Sequence, residues 1–256
     1  MAVKKIVLLI TEGYSSNVLY NKLNSSYEID TVIVEKPLSR LLFIRKRIKK
    51  LGFIKVVGQL LFQLLIVPIL TAFSKKRIAA IQNQFQLDNT PIPASKIKNV
   101  ASVNSDGTLK LLQEINPALI IVNGTRIISK KLLAAVPGIF INMHAGITPK
   151  YRGVHGAYWA LANDDKDNCG VTIHVVDQGI DTGAILYQKI IEPLKEDNFI
   201  TYPILQLSAG LPLLMKATED VLNNNLQRMQ IKSESQLWHH PTIWQYLYSR
   251  FYKNIK

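Results

Sequence analysis

Five short apolar runs, at residues 5–10, 31–34, 118–122, 139–143 and 171–176, constrain the fold of this chain more than any other feature. Each has the length of a buried β-strand and is too short for an ordinary helix. Helical patterns recur between them. Leu109, Leu112 and Ile115 follow Asp106, a candidate N-cap, and Ser129 is placed to cap a short segment through Ala135 that Pro137-Gly138 ends. A longer helix is expected from Phe199 to Leu222, with Pro203 near its start and Pro212 as a kink or break. Strands alternating with helices predict an α/β fold: a Rossmann-like, mostly parallel sheet with helices on both faces. Ligands of such sheets bind beyond the carboxyl ends of the strands, near the reversal of strand order.

At 256 residues the chain fits one large domain with a short appendage. The expected division is a main α/β domain over residues 1–195, with a basic and apolar helical insertion at about 38–80. A C-terminal helix and an aromatic-rich tail over residues 196–256 follow. A charged fraction of 19% beside 48% hydrophobic residues argues against disorder. The single cysteine, Cys169, excludes an internal disulfide framework and suits a reducing, cytoplasmic compartment. Lysines before an apolar run at the start look like a signal peptide, but Thr11-Glu12-Gly13 breaks the run without a small-residue cleavage site. A buried first strand is the expectation.

The formal charge of +13 points toward nucleic acid, membrane or phosphate-bearing partners. Its distribution is uneven. Residues 36–55 hold eight lysines and arginines and no acid, residues 56–73 are uncharged, and Lys75-Lys76-Arg77 follows. Aliphatic residues lie between the cations in an amphipathic pattern. The expectation is an inserted helix pair on the core with a solvated basic face. Peripheral contact with the inner face of a membrane through residues 38–73 is the second reading. The uncharged run, interrupted by Gln59, Gln63 and Pro68, is near the lower length for a span.

Chemistry concentrates in residues 140–183. Asn142 and His144 stand two apart at the end of a strand-like run, so both point to one face at a carboxyl edge. A second run ends in Asp177-Gln178-Gly179-Ile180-Asp181-Thr182-Gly183, where glycines bracket Asp181 and permit a sharp turn. Together the three residues make an acyl-transfer constellation. Histidine exchanges protons near neutral pH, asparagine donates to a developing oxyanion, and aspartate orients or polarises the histidine and water. Each has an ordinary alternative as a turn former or packed polar residue. His144, His155 and His174 lack the short spacings of a zinc site, and no metal is expected.

Asn142-x-His144, Pro149-x-Tyr151-Arg152-Gly153, Gly170-Val171-Thr172-Ile173-His174 and Asp177-x-Gly179-x-Asp181-Thr182-Gly183, in this order, resemble the signature of the folate-dependent formyltransferases. The resemblance covers about residues 105–192 and implies a Rossmann-like fold. It implies 10-formyltetrahydrofolate as co-substrate, with Asn142, His144 and Asp181 as the catalytic triad. Residues 122–128 resemble the family's folate loop, which brings Asn123, Gly124, Arg126, Ile127 and Ile128 to the cofactor. Asp177 and Gly179 would close the other side.

By length and by the loop at residues 148–156, the chain looks most like the small nucleotide-sugar N-formyltransferases. The implied acceptor is a small phosphorylated amine, a nucleotide-linked amino sugar used in polysaccharide biosynthesis. Lys150, Tyr151, Arg152 and His155 are the candidate acceptor contacts, with a purely bracing role for Arg152 as the alternative. Tyr158 and Trp159 are expected in the core. Methionyl-tRNA and phosphoribosylglycinamide formyltransferases are the alternatives within the family, and a formyltetrahydrofolate hydrolase would use the same triad. A non-catalytic basic protein binding nucleic acid or a membrane surface is the rival of another class. No specific nucleic-acid contact is expected.

Overall fold

The first apolar run forms β1 (Ile6–Ile10), all five residues buried, an inner strand of a seven-stranded sheet. The computed structural model describes residues 4–229, 231 and 233–256; Met1, Ala2 and Val3 of the opening segment lie outside them. The remaining strands are β2 (Ile29–Glu35), β3 (Ile97–Val100), β4 (Leu119–Asn123), β5 (Ile139–His144), β6 (Arg152–Gly153), β7 (Gly170–Val175), β8 (Ile185–Ile190) and β9 (Leu237–Trp238). Their order in the main sheet is β3-β2-β1-β4-β5-β7-β8, while β6 pairs with β9 separately. Pairing is parallel from β3 through β5 and antiparallel across β5–β7 and β7–β8. The mostly parallel, Rossmann-like expectation holds.

The helices are α1 (Tyr14–Asn24), α2 (Arg40–Leu51), α3 (Phe53–Leu61), α4 (Val67–Gln84), α5 (Asp106–Ile115), α6 (Lys130–Ala135), α7 (Gly156–Ala162), α8 (Tyr202–Leu222) and α9 (Ile243–Tyr252). Alternate residues of β1 serve the two faces. Ile6, Leu8 and Ile10 pack with Val18, Leu19 and Leu23 of α1 and Leu207, Leu211 and Leu214 of α8. Val7 and Leu9 pack with Leu112 of α5 and Leu132 of α6. Burying each such side chain contributes about 1.5–3 kcal/mol, which is why central strands carry uninterrupted apolar runs. A third cluster is aromatic and joins Phe62, Tyr151, Tyr158, Trp159, Phe199 and Tyr246. It ties the insertion, α7 and α9 together, and Tyr158 and Trp159 are core residues as expected.

Several local expectations need correction. Ser105, not Asp106, caps α5: its Oγ accepts from Thr108 N–H at 3.2 Å. Asp106 sits in the first turn, where a carboxylate favours the positive end of the helix dipole. Ser129 does cap α6, accepting from Leu132 N–H. α8 begins at Tyr202 and runs through Pro212 without a break. A proline costs a helix one N–H bond, and the buried face on either side of it holds the two halves in one element. The apolar-run pattern does not mark the edge strands β3 and β8. Polar or exposed residues interrupt both, because an edge strand has less to bury.

Candidate functional site

Strand order reverses between β1 and β4, and these strands end side by side, Ile10 against Asn123. Neighbouring β5 ends with Val122 of β4 opposite Asn142. A cleft of ≈ 360 Å³ opens at this edge between residues 122–128 and 176–181. Asn142, His144 and Asp181 line it, as do Asn123, Gly124, Arg126, Ile127, Ile128, Asp177 and Gly179. The reversal point of an open sheet is where such a crevice forms.

Asn142 and His144 share a face of β5, and antiparallel β7 places His174 directly opposite Asn142. The His174 Nδ1 proton goes to the Val175 carbonyl (2.9 Å), and Nε2 lies 3.1 Å from Asn142 Nδ2. Asp181 Oδ1 lies 3.5 Å from both Asn142 Nδ2 and His174 Nε2. Its Oδ2 lies 3.3 Å from His144 Nδ1 and accepts from Gly153 N–H at 2.9 Å. Asp181 adopts φ +52°, a left-handed conformation uncommon outside glycine. Such backbone gathers at functional sites when surrounding contacts enforce it.

His144 is buried, with Nε2 2.7 Å from the Tyr151 carbonyl. A carbonyl only accepts, so Nε2 carries a proton while Nδ1 faces a carboxylate. Both edges suit an imidazolium. Burial nonetheless pushes the His144 pKa below the ordinary imidazole value, with Asp181 and the Tyr151 carbonyl opposing. For Asp181, burial acts upward, but His174, His144 and Gly153 N–H together hold the carboxyl below its usual range. The result is an ionised carboxylate beside a ring poised to take a proton when negative charge develops nearby. Gly146 permits this placement, since a Cβ there would strike the Tyr151 carbonyl and come within 2.7 Å of His144 Nε2.

The loop after β4 is held from behind. Buried Glu35 accepts from Arg126 Nη1 at 2.6 Å, Arg126 N–H at 2.8 Å and Val103 N–H at 2.8 Å. The Arg126 guanidinium also reaches the Ala101 and Lys36 carbonyls, so the side chain is a brace at the edge of the cleft that Arg126 lines. Asn123 Nδ2 similarly ties to Ser16 Oγ at 2.9 Å. Across the cleft, Asp177 Oδ1 accepts from Gly179 N–H and Thr182 Oγ1 and shapes the opposite loop.

The four acceptor candidates do not join the lining of this cleft. Lys150 Nζ pairs with Asp165 at 2.6 Å, and buried Tyr151 donates its hydroxyl to the same carboxylate at 2.8 Å. Arg152 Nη1 donates to the Ile180 carbonyl at 3.0 Å, bracing the segment just before Asp181. His155 packs on Phe199 and bonds His240 through Nε2 and Nδ1 at 3.0 Å. Glu35 and His174 are the residues to which sequence reasoning assigned no role. His174 stood within the quoted motif, while Glu35 had no local pattern to mark it.

The His155–His240 pair makes stability depend on pH. Burial pushes His155 down to about 3 and His240 down to about 4. The unfolded chain, with histidines near 6.5, therefore takes up protons that the folded chain refuses. Stability is full above about pH 6.5 and falls toward pH 4, by up to about 1.4 kcal/mol per pH unit for each histidine. Thermal unfolding between pH 7 and pH 5 should show this loss, and His240→Gln should flatten it. Equal slopes for the two proteins would show that the pair is not responsible.

A family model described as "Formyl transferase" matches residues 63–202. Among curated relatives, the methionyl-tRNA formyltransferase of Thermodesulfovibrio yellowstonii is 41% identical over 119 residues, which are 46% of this chain and 38% of that protein. The chain thus matches well under half the length of that relative. Among solved structures, a sugar N-formyltransferase from Shewanella sp. superposes with TM-score 0.58 at 15% identity, covering 92% of this chain and 76% of that one. An N-formyltransferase from Helicobacter canadensis in complex with folinic acid and dTDP-3-aminofucose gives TM-score 0.54 at 19% identity, covering 92% and 71%. At these identities the likeness is one of fold.

Proposed function

Because the chain belongs to the formyl transferase family, we propose that it transfers the formyl group of 10-formyltetrahydrofolate to the amine of a nucleotide-linked amino sugar. The observation that carries this reading is the gathering of Asn142 and His144 from the end of β5 and Asp181 from the β7–β8 loop beside one cleft. The cleft suits a folate. Val122, Ile127, Ile128, Met143 and Val176 supply apolar walls, and two braced loops supply a polar backbone rim. The folate brings an activated formyl carbon. Asn142 then donates to the formyl oxygen as charge develops there, and His144 adds its positive charge from the Asp181 side. As the amine nitrogen bonds to the formyl carbon, Asp181, through water, takes the proton that nitrogen loses and supports the imidazolium. The bond from the formyl carbon to folate N10 then breaks and the same water returns the proton to N10, so that formamide and tetrahydrofolate leave. Holding both reactants at this edge turns an encounter into a positioned reaction.

Asp181 also lines a second recess of ≈ 240 Å³, with Thr148, Pro149, Gly183, Ile185 and Met229. Its size and its sharing of the catalytic carboxylate support a small acceptor such as a sugar. Phosphate contacts through Lys150, Arg152 and His155 are less supported, since those side chains are engaged internally. The sequence identity favours a second reading, methionyl-tRNA as acceptor. A formyl-transfer assay with 10-formyltetrahydrofolate decides between them. Turnover is expected on nucleotide-linked amino sugars, and efficient turnover of methionyl-tRNA alone would overturn the sugar reading.

Folate binding can be tested apart from turnover. At about a hundredfold excess over its Kd, a tetrahydrofolate analogue should add about 2.7 kcal/mol and raise Tm by several degrees. The shift should survive a chelator, because His144 already commits both ring nitrogens to Asp181 and Tyr151. Loss of the shift with chelator and its return with a divalent ion would contradict the metal-free site.

A further inference from the structure

The helical insertion presents an outer surface that the catalytic body does not cover. α2 has no buried residue. Its Leu41, Leu42 and Phe43 are exposed beside Arg45, Lys46, Lys49 and Lys50, with no acidic residue between Lys36 and Lys55. α3, a five-residue π-helical turn (Phe62–Ile66) and α4 then run on as one 32-residue helix, Phe53–Gln84. Along it Ile54, Leu61, Leu65, Ile69 and Phe73 recur at intervals of seven and four and are all exposed, Phe73 at 85%. Exposed apolar side chains at this spacing beside a run of cations make the pattern of a helix that lies at an anionic interface.

The C-terminal helix extends the same surface. Trp244 of α9 lies against Gly58 of α3, where an added Cβ would strike its ring. Trp244, Tyr248, Phe251 and Tyr252 form an exposed aromatic face on α9. Tryptophan and tyrosine are the side chains that favour the boundary between hydrocarbon and water, with an apolar body and a polar tip.

We propose that α2, the outer face of α3–α4 and the aromatic face of α9 form a docking surface for an anionic phospholipid bilayer, with the long helix lying in the plane of the interface. The inner face of that helix rules out a span even though its length and composition would allow one. Buried Phe62 packs on Phe199 and Tyr246, Gln59 donates to the His240 carbonyl, and Arg77 is paired in two hydrogen bonds with buried Asp197. Crossing the bilayer would tear these contacts away and put Gln59, Ser74 and Arg77 into hydrocarbon. Lying on the surface keeps all of them. The uncovered aliphatic and aromatic side chains enter the headgroup boundary, and the α2 cations meet lipid phosphates.

Flotation of the full chain with phosphatidylcholine vesicles, with and without phosphatidylglycerol, tests this. Binding is expected only with phosphatidylglycerol and should weaken as salt is raised. Replacing Arg45, Lys46, Lys49 and Lys50 together by glutamate should cut vesicle binding by at least about tenfold. Ile54→Ser, Leu65→Ser and Phe73→Ser combined should do the same. All these positions are exposed, so melting temperature and its shift by folate should stay unchanged in both variants, which separates this test from the catalytic proposal. Equal binding to neutral vesicles, or no binding to either, would overturn the proposal. So would a dimer in light scattering that the triple serine variant dissolves without any vesicle binding, which would assign the face to a second copy.

Discussion

His144→Ala and Asp181→Asn should each lower kcat by at least about a hundredfold while leaving the protein folded, the usual scale for losing an acid–base or oxyanion-stabilising group. The two changes act on one unit. Asp181 Oδ2 sits 3.3 Å from His144 Nδ1. Asparagine preserves shape and can still accept from Gly153 N–H, but it removes the charge that supports an imidazolium. Alanine at residue 144 removes the ring and leaves the Tyr151 carbonyl without its donor. Because both act in one pair, the double variant should be little worse than the poorer single one. The effect belongs to the chemical step, so single-turnover rates should fall while the folate-induced rise in Tm persists. Near-normal turnover in either variant would sink the proposed mechanism. A loss confined to folate binding would move these residues from chemistry to cofactor positioning.

The second large effect concerns stability. Glu35→Ala should destabilise the fold by about 3–5 kcal/mol, the range for removing one partner of a buried ion pair. Glu35 is 2% exposed and accepts three hydrogen bonds, from Val103 N–H, Arg126 N–H and Arg126 Nη1. Deleting the carboxylate strands two backbone donors and a half-buried guanidinium at once. Arg126→Ala should cost less, since Glu35 would keep its two backbone partners and the lost arginine was partly exposed. Urea denaturation of both variants gives the order directly. Folate affinity should fall with either, because the loop after β4 loses its brace. A cost below about 1 kcal/mol for Glu35→Ala would mean that water replaces the carboxylate and the loop is held elsewhere.

Asn142 and His144 were legible in the sequence because strand periodicity is local. Residues two apart on an extended chain share a face whatever else the protein does. The apolar runs identified the central strands for the same reason: a strand buried on both faces has to be apolar throughout. Asp181 was legible through the glycines around it and through the motif in which it stands. Nothing local marked Glu35. It is a lone acid at the end of β2, and its partners lie 68 and 91 residues away in the chain.

The same limit explains the acceptor candidates. Lys150, Tyr151 and His155 belong to a loop whose composition suits phosphate recognition. Only folding brought Asp165 to Lys150 and Tyr151, and His240 to His155. An internal partner consumes a side chain's hydrogen-bonding capacity, and no spacing rule foresees it. The insertion divides in the same way. Its cations, its apolar run and its helical character were all present in the sequence. Which side of the helix meets the catalytic body was decided by Phe62, Gln59 and Arg77 finding Phe199, His240 and Asp197 more than a hundred residues away. The sequence by itself determined the five inner strands of the sheet and put Asn142 and His144 at a strand end, because these follow from local periodicity, and it marked Asp181 through its flanking glycines and motif. The tertiary structure alone decided which polar groups remain free for ligands and which apolar face remains uncovered, because both depend on contacts between distant segments.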